Sequence, residues 1–187
     1  MLTKRQPALA TVPAKWPESG FTLVELMVTL TVASILLLIA VPAFRSVTAG
    51  NRLTTQANDL VAAINLARSE AIKRNATITF CRAEAADATE CAGDEGEWEH
   101  WIVSTPDETV IRTGSINTYG GSILVESTLD NDEAAFGADG LARTGGVLAS
   151  DQELTVCSSG ITRDNLRRVV IGAGSRLATQ VDTVEEC

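Results

Sequence analysis

Residues 20–44 read GFTLVELMVTLTVASILLLIAVPAF. From Phe21 to Phe44 there are 24 residues and one formal charge, Glu25. Spanning a bilayer core takes about 20 apolar residues in a helix, so this run reads as a membrane span. A carboxylate facing lipid near the bilayer centre costs roughly 2.5–3.5 kcal/mol or more. A group that costly calls for a partner, and the residues point to a helix that does not stay alone in the membrane.

The flank before the run is basic. Lys4, Arg5 and Lys15 against Glu18 give residues 1–20 a net +2 and leave about −11 on the remainder of a −9 chain. A secretory signal places its small-residue cleavage site after the apolar region. Here the small residue at a boundary is Gly20, which comes before it. Cleavage between Gly20 and Phe21 would remove the basic leader and keep the hydrophobic helix.

Gly20-Phe21-Thr22-Leu23-Val24-Glu25 closely resembles the class III signal of type IV prepilins and type II secretion pseudopilins. The resemblance implies that a prepilin peptidase reads Gly20, and that Phe21 becomes the new N-terminus and is N-methylated. It also implies that Glu25 pairs with the N-terminal amine of a neighbouring subunit in a filament. A buried carboxylate and a buried ammonium are each costly alone and much less so together. Pro42 fits the same pattern as a helix kink, since proline removes one backbone hydrogen bond and crowds the preceding turn.

Beyond Pro42 the helix continues. Leu53, Ala57, Leu60, Ile64, Ala67 and Ala71 follow steps of four and three, which lines one helical face. Asn75 marks the end, giving one helix of some 54 residues from Phe21 to Arg74. The stripe is rich in alanine and lacks sustained charge pairing beside it, which argues against a free coiled coil. It must bury against the rest of the chain.

Residues 75–187 suffice for one ordinary domain and read as β. Strands are expected at 76–82, 98–105, 108–113, 121–127, 153–158, 166–172 and 175–181, with Pro106-Asp107 and Gly172-Ala173-Gly174 as turns. Residues 83–97 and 130–152 read as loops, the second anchored by Phe136. The fold class is therefore α+β: a long N-terminal helix, its first half transmembrane, packed against an antiparallel C-terminal domain. The organisation is 1–20 leader, 21–44 membrane and filament-core helix, 45–74 amphipathic continuation and 75–187 head.

Phe136-Gly-Ala-Asp-Gly140, the Arg167–Arg176 stretch and Asn65-Leu-Ala-Arg-Ser-Glu-Ala-Ile-Lys-Arg74 extend the resemblance to the GspH/FimT/FimU group of minor pilins and pseudopilins. Within that group four cysteines favour a minor pilin over the secretion pseudopilin of the H type. The implied life history is insertion in the bacterial inner membrane as a single-pass protein with a periplasmic head. Assembly with other minor pilins and the major pilin follows, at or near the pilus tip.

Cys81, Cys91, Cys157 and Cys187 all lie outside the apolar run, in a compartment where disulfides persist. Four cysteines allow three connectivities. Pairing of sequence neighbours, Cys81–Cys91 and Cys157–Cys187, is the expected one. Without Cys-x-x-Cys and with one histidine, His100, zinc spacing is missing. No catalytic motif occurs, so neither an enzyme nor a cofactor is expected. Acidic stretches at 94–97 and 130–133 carry oxygen ligands but not the calcium-loop spacing.

An acidic chain repels DNA overall. Some FimT-type pilins nevertheless bind DNA through C-terminal arginines, and Arg163, Arg167, Arg168 and Arg176 cluster in this sequence. If Arg167 and Arg176 lie on facing strands, they would form a phosphate-binding patch. Asp164, Asp182, Glu185 and Glu186 offset the four charges, and Gly174-Ser-Arg176-Leu-Ala carries one arginine where the DNA-binding motif has two.

Overall fold

A computed structural model describes residues 20–119 and 122–187. The leader, apart from Gly20, and the first residue of the expected strand 121–127 lie outside the described residues. The described residues divide into two compact units, one ending at Val41 and the other running from Pro42 to Cys187.

In the first unit the helix α1 (Leu23–Arg74) begins. Thr22 caps it: the Glu25 amide donates to Thr22 Oγ1 at 3.1 Å, and the Leu26 amide to the Thr22 carbonyl at 3.1 Å. The capping hydroxyl satisfies one of the orphan donors at the helix start, so the helix opens two residues later than expected. Its apolar side chains from Leu23 to Ile39 are exposed, and the helix is long and apolar enough to cross a membrane. Thr29, Thr31 and Ser34 donate their hydroxyls to carbonyls three or four residues earlier. That internal satisfaction is what a lipid environment demands of polar groups.

The second unit holds the rest of α1 and all the strands. The helical conformation runs through Pro42 without a break, although proline leaves the Leu38 carbonyl without its usual donor. Leu53, Ala57, Leu60, Ile64, Ala67 and Ala71 are buried as the periodicity indicates, together with Gln56 and Ala63. Fully burying each of Leu53, Leu60 and Ile64 stabilises by about 1.5–3 kcal/mol. Asn75 ends the helix at φ 51°. The Ala76 amide reaches back to the Ala71 carbonyl and the Asn75 amide to that of Ile72, a Schellman cap with asparagine in the left-handed position.

Ten strands follow: β1 (Ile78–Ala83), β2 (His100–Ser104), β3 (Val110–Ser115), β4 (Ile123–Ser127), β5 (Glu133–Phe136), β6 (Ala142–Thr144), β7 (Val147–Leu148), β8 (Gln152–Ser158), β9 (Leu166–Gly172) and β10 (Arg176–Asp182). They form two antiparallel sheets, ordered β3-β2-β1-β5-β6-β7 and β10-β9-β8-β4. One apolar core joins both sheets to the helix stripe, with Phe80 against Trp98 and Trp101 at 5.6 and 6.0 Å between ring centroids. Cys81, Ala83 and Ile102 form a second cluster covered by Ala88 and Cys91, so β1 is buried on both faces.

The expected loop at 130–152 is corrected: it contains β5, β6 and β7. Glu133-Ala-Ala-Phe136 is poor in strand-favouring residues. Pairing with β1, Ile78 to Phe136 and Phe80 to Ala134, makes it a strand. Phe136 is buried, as its anchoring role requires.

Residues 137–140 form the turn between β5 and β6. The Gly140 amide bonds the Gly137 carbonyl at 2.8 Å, and Gly140 sits at φ 71°. A Cβ there would lie 2.9 Å from Ile72 Cδ1 of the helix. The Phe-Gly-Ala-Asp-Gly motif is thus a tight turn laid on α1. Arg68 ties the last hairpin to the same helix through the Ser175 carbonyl at 2.9 Å.

Candidate functional site

Gly20 and Phe21 precede the capped helix in irregular, exposed backbone, and Phe21 is 83% exposed. Nothing in the fold requires glycine at position 20, because a Cβ there would meet open space. A requirement for glycine would come from whatever binds this segment. Glu25 lies in the first turn of α1, where the positive end of the helix dipole favours a carboxylate. Among the described residues no basic side chain pairs with it. The free peptide amides of the first turn and one acid therefore sit within six residues of Gly20 at one helix end.

The two disulfides are Cys81–Cys91 and Cys157–Cys187. The first clamps the acidic loop 84–97 onto β1, and the second ties the last residue to β8. His100 opens β2, with Nδ1 3.0 Å from Ser115 Oγ on the paired strand β3.

The structure sets Arg167 and Arg176 on paired strands and brings Arg163 and Arg167 to one cleft, but it does not gather all four arginines. Arg167 pairs across from Val181 and Arg176 from Gly172. They are five positions apart along the β9–β10 hairpin, about 17 Å at strand rise. Arg167 is buried. Arg168 is neutralised by Glu153 at 2.9 Å and Asp182 at 3.5 Å. Arg163 and Arg176 are exposed, the first in the connection between β8 and β9. Hairpin pairing alternates side chains between faces, so for Arg167 and Arg176 closeness in sequence did not become closeness in space.

A charged cluster that the sequence did not reveal lies at the end of β1. Arg82 is buried and meets Glu84 at 2.8 Å, Asp94 at closer range and Asp132 at 3.4 Å. Asp132 is buried too and accepts the Gly96 amide at 2.9 Å. The two acidic stretches at 94–97 and 130–133 thus face an arginine. Only the burial of Arg82 signals it, and that is a tertiary property. On the surface, Arg143 and then the Leu141 amide hold the Asp139 carboxyl down at about 2. Arg74, then Lys73, hold Glu70 below its usual range.

A family model described as type II transport protein GspH matches residues 56–175, more than half of the chain. The chain belongs to the GspH family. A second model, the prokaryotic N-terminal methylation motif, matches residues 17–41 and so frames Gly20, Phe21 and Glu25. The GspH-family assignment makes this a pilin-type structural protein. Its fold is also that of the type IV minor pilin FimU of Pseudomonas aeruginosa (strain PAO1), seen in two crystal forms. One matches at 17% identity and TM-score 0.51, covering 72% of this chain and 98% of that one. The other matches at 17% identity and TM-score 0.53, covering 73% and 96%. No curated protein matches the sequence significantly.

Proposed function

We propose that this GspH-family chain is a minor type IV pilin that primes pilus assembly. A prepilin peptidase cuts between Gly20 and Phe21, and Phe21 is N-methylated. Residues 21–44 hold the subunit in the inner membrane with the head in the periplasm. During assembly the Glu25 carboxylate pairs with the N-terminal ammonium of a neighbouring pilin and sets its register. The observation that carries this reading is the ordered series at the helix start: exposed Gly20-Phe21, the Thr22 cap, then an unpartnered Glu25 in an apolar helix. Leaving a charge in lipid is costly unless assembly supplies a partner.

The test is Glu25→Ala in the native host. The variant is expected to insert and to be processed normally, but to lose incorporation into pili and to reduce piliation. Normal piliation with normal incorporation would sink the assembly role. A secretion pseudopilin of the H type is the second reading, favoured by the description of the family model. Deletion would then abolish exoprotein release and leave twitching intact. DNA uptake draws less support: Arg168 is paired with Glu153 and Asp182, and Arg176 lies five strand positions from Arg167.

A further inference from the structure

We propose that a basic cleft beside the helix residues 42–54 binds the phosphate headgroup of an anionic phospholipid. The proposal rests on the reading of residues 21–44 as the membrane span. The cleft has a volume of about 730 Å³. Arg45 lines it from α1, and Arg163, Asp164 and Arg167 line it from the β8–β9 connection and the start of β9. Three guanidinium groups against one carboxylate leave it at +2 in a chain of −9.

Arg167 supplies the second observation. It is 9% exposed, and no carboxylate among the described residues pairs with it. Its Nε donates to Thr54 Oγ1 at 3.3 Å, and Nη1 to the carbonyls of Asp164 and Leu166 at 2.7 and 3.0 Å. These neutral acceptors orient the guanidinium without cancelling its charge. The contrast with its neighbours is sharp: Arg82 has three carboxylates and Arg168 has two. A buried charge without a counter-ion is costly, and Arg167 adds its uncancelled charge to the cleft from its inner end.

Chain position selects the anion. Arg45 directly follows Phe44, the last residue of the apolar run. The headgroup layer on each side of the hydrocarbon core is about 5–8 Å deep. At 1.5 Å per residue the first helical turn past Phe44 stays inside that layer, which holds Arg45 at the headgroups, while Thr54 and the Arg167 it bonds mark the far end of the cleft about 15 Å past Phe44. Arginine matches phosphate with paired donors. Arg45 and Arg163 are both exposed and free to close on a headgroup at the mouth of the cleft that Arg167 also lines.

The experiment is native mass spectrometry of the full chain in detergent, with equal amounts of phosphatidylglycerol and phosphatidylcholine added. Phosphatidylglycerol adducts should dominate. Arg45→Gln and Arg163→Gln should each lower them about fivefold, the weight of one basic side chain at an anionic lipid surface. Arg176→Gln removes the same charge on β10 and should leave them unchanged. Equal retention of the two lipids, or equal effects of all three variants, overturns the proposal. Full displacement by equimolar inorganic phosphate reassigns the cleft to a free anion. Retardation of duplex DNA that vanishes with Arg45→Gln and Arg163→Gln reassigns it to nucleic acid. Alkaline carbonate extraction tests the membrane span by itself: release of the wild-type chain overturns that reading, whatever the adducts show.

Discussion

Replacing Arg82 by methionine should destabilise the head by about 3–5 kcal/mol, the usual cost of removing one partner from a buried ion pair. Arg82 Nε and Asp132 Oδ2 are 3.4 Å apart, with side chains only 7% and 3% exposed. At an effective dielectric of about 20 their gross attraction is roughly 5 kcal/mol. Removing the guanidinium leaves Asp132 buried with one remaining donor, the Gly96 amide. Asp132→Asn is the gentler change. It keeps an oxygen for Gly96, suits the left-handed backbone at φ 54°, and leaves Arg82 with Glu84 and Asp94. Those two acids are more than two-thirds exposed, so each contributes about 1 kcal/mol or less. The expected cost of Asp132→Asn is about 1–2 kcal/mol, a lost charge-assisted interaction. The double variant should cost less than the sum of the singles, by about 2 kcal/mol. Urea unfolding followed by tryptophan fluorescence is the assay, since buried Trp98 and Trp101 pack on Phe80 beside this cluster. Equal costs for the two single variants, or strict additivity in the double, would refute the reasoning.

Opening the disulfides should have unequal effects. Cys157–Cys187 spans 30 residues and Cys81–Cys91 spans ten; on chain entropy their loss costs about 3.6 and 2.7 kcal/mol, which denaturant midpoints of the paired serine variants would resolve. Acid should weaken the β5–β6 turn. Asp139 titrates at about 2 when folded against an ordinary 3.8, so its contribution is complete above about pH 4 and fades as pH falls through 2. An NMR titration should place that carboxyl near 2 and return it to the usual range in Arg143→Gln; a wild-type value near 4 would overturn the assignment.

The approximate extent of α1, its stripe and its end at Asn75 were legible because helices are local and periodic. Each of Leu53, Ala57, Leu60, Ile64, Ala67 and Ala71 declares its face by spacing alone. The disulfide partners could be chosen by sequence proximity. Strands β5 to β7 were not legible, because they are only two to four residues long and form by pairing outward from β1, first β5, then β6 and β7.

By itself, then, the sequence determined a long apolar helix after Gly20, a single acid near its start, and a β-rich head with four cysteines. Those properties follow from residue order and short-range hydrogen bonding. Tertiary structure alone decided which charges meet. It placed Asp132 on Arg82 and two acids on Arg168, and it left Arg167 buried without one. The physical reason is that ion pairing acts over a few ångströms in space, and strand register sets those distances, not separation along the chain.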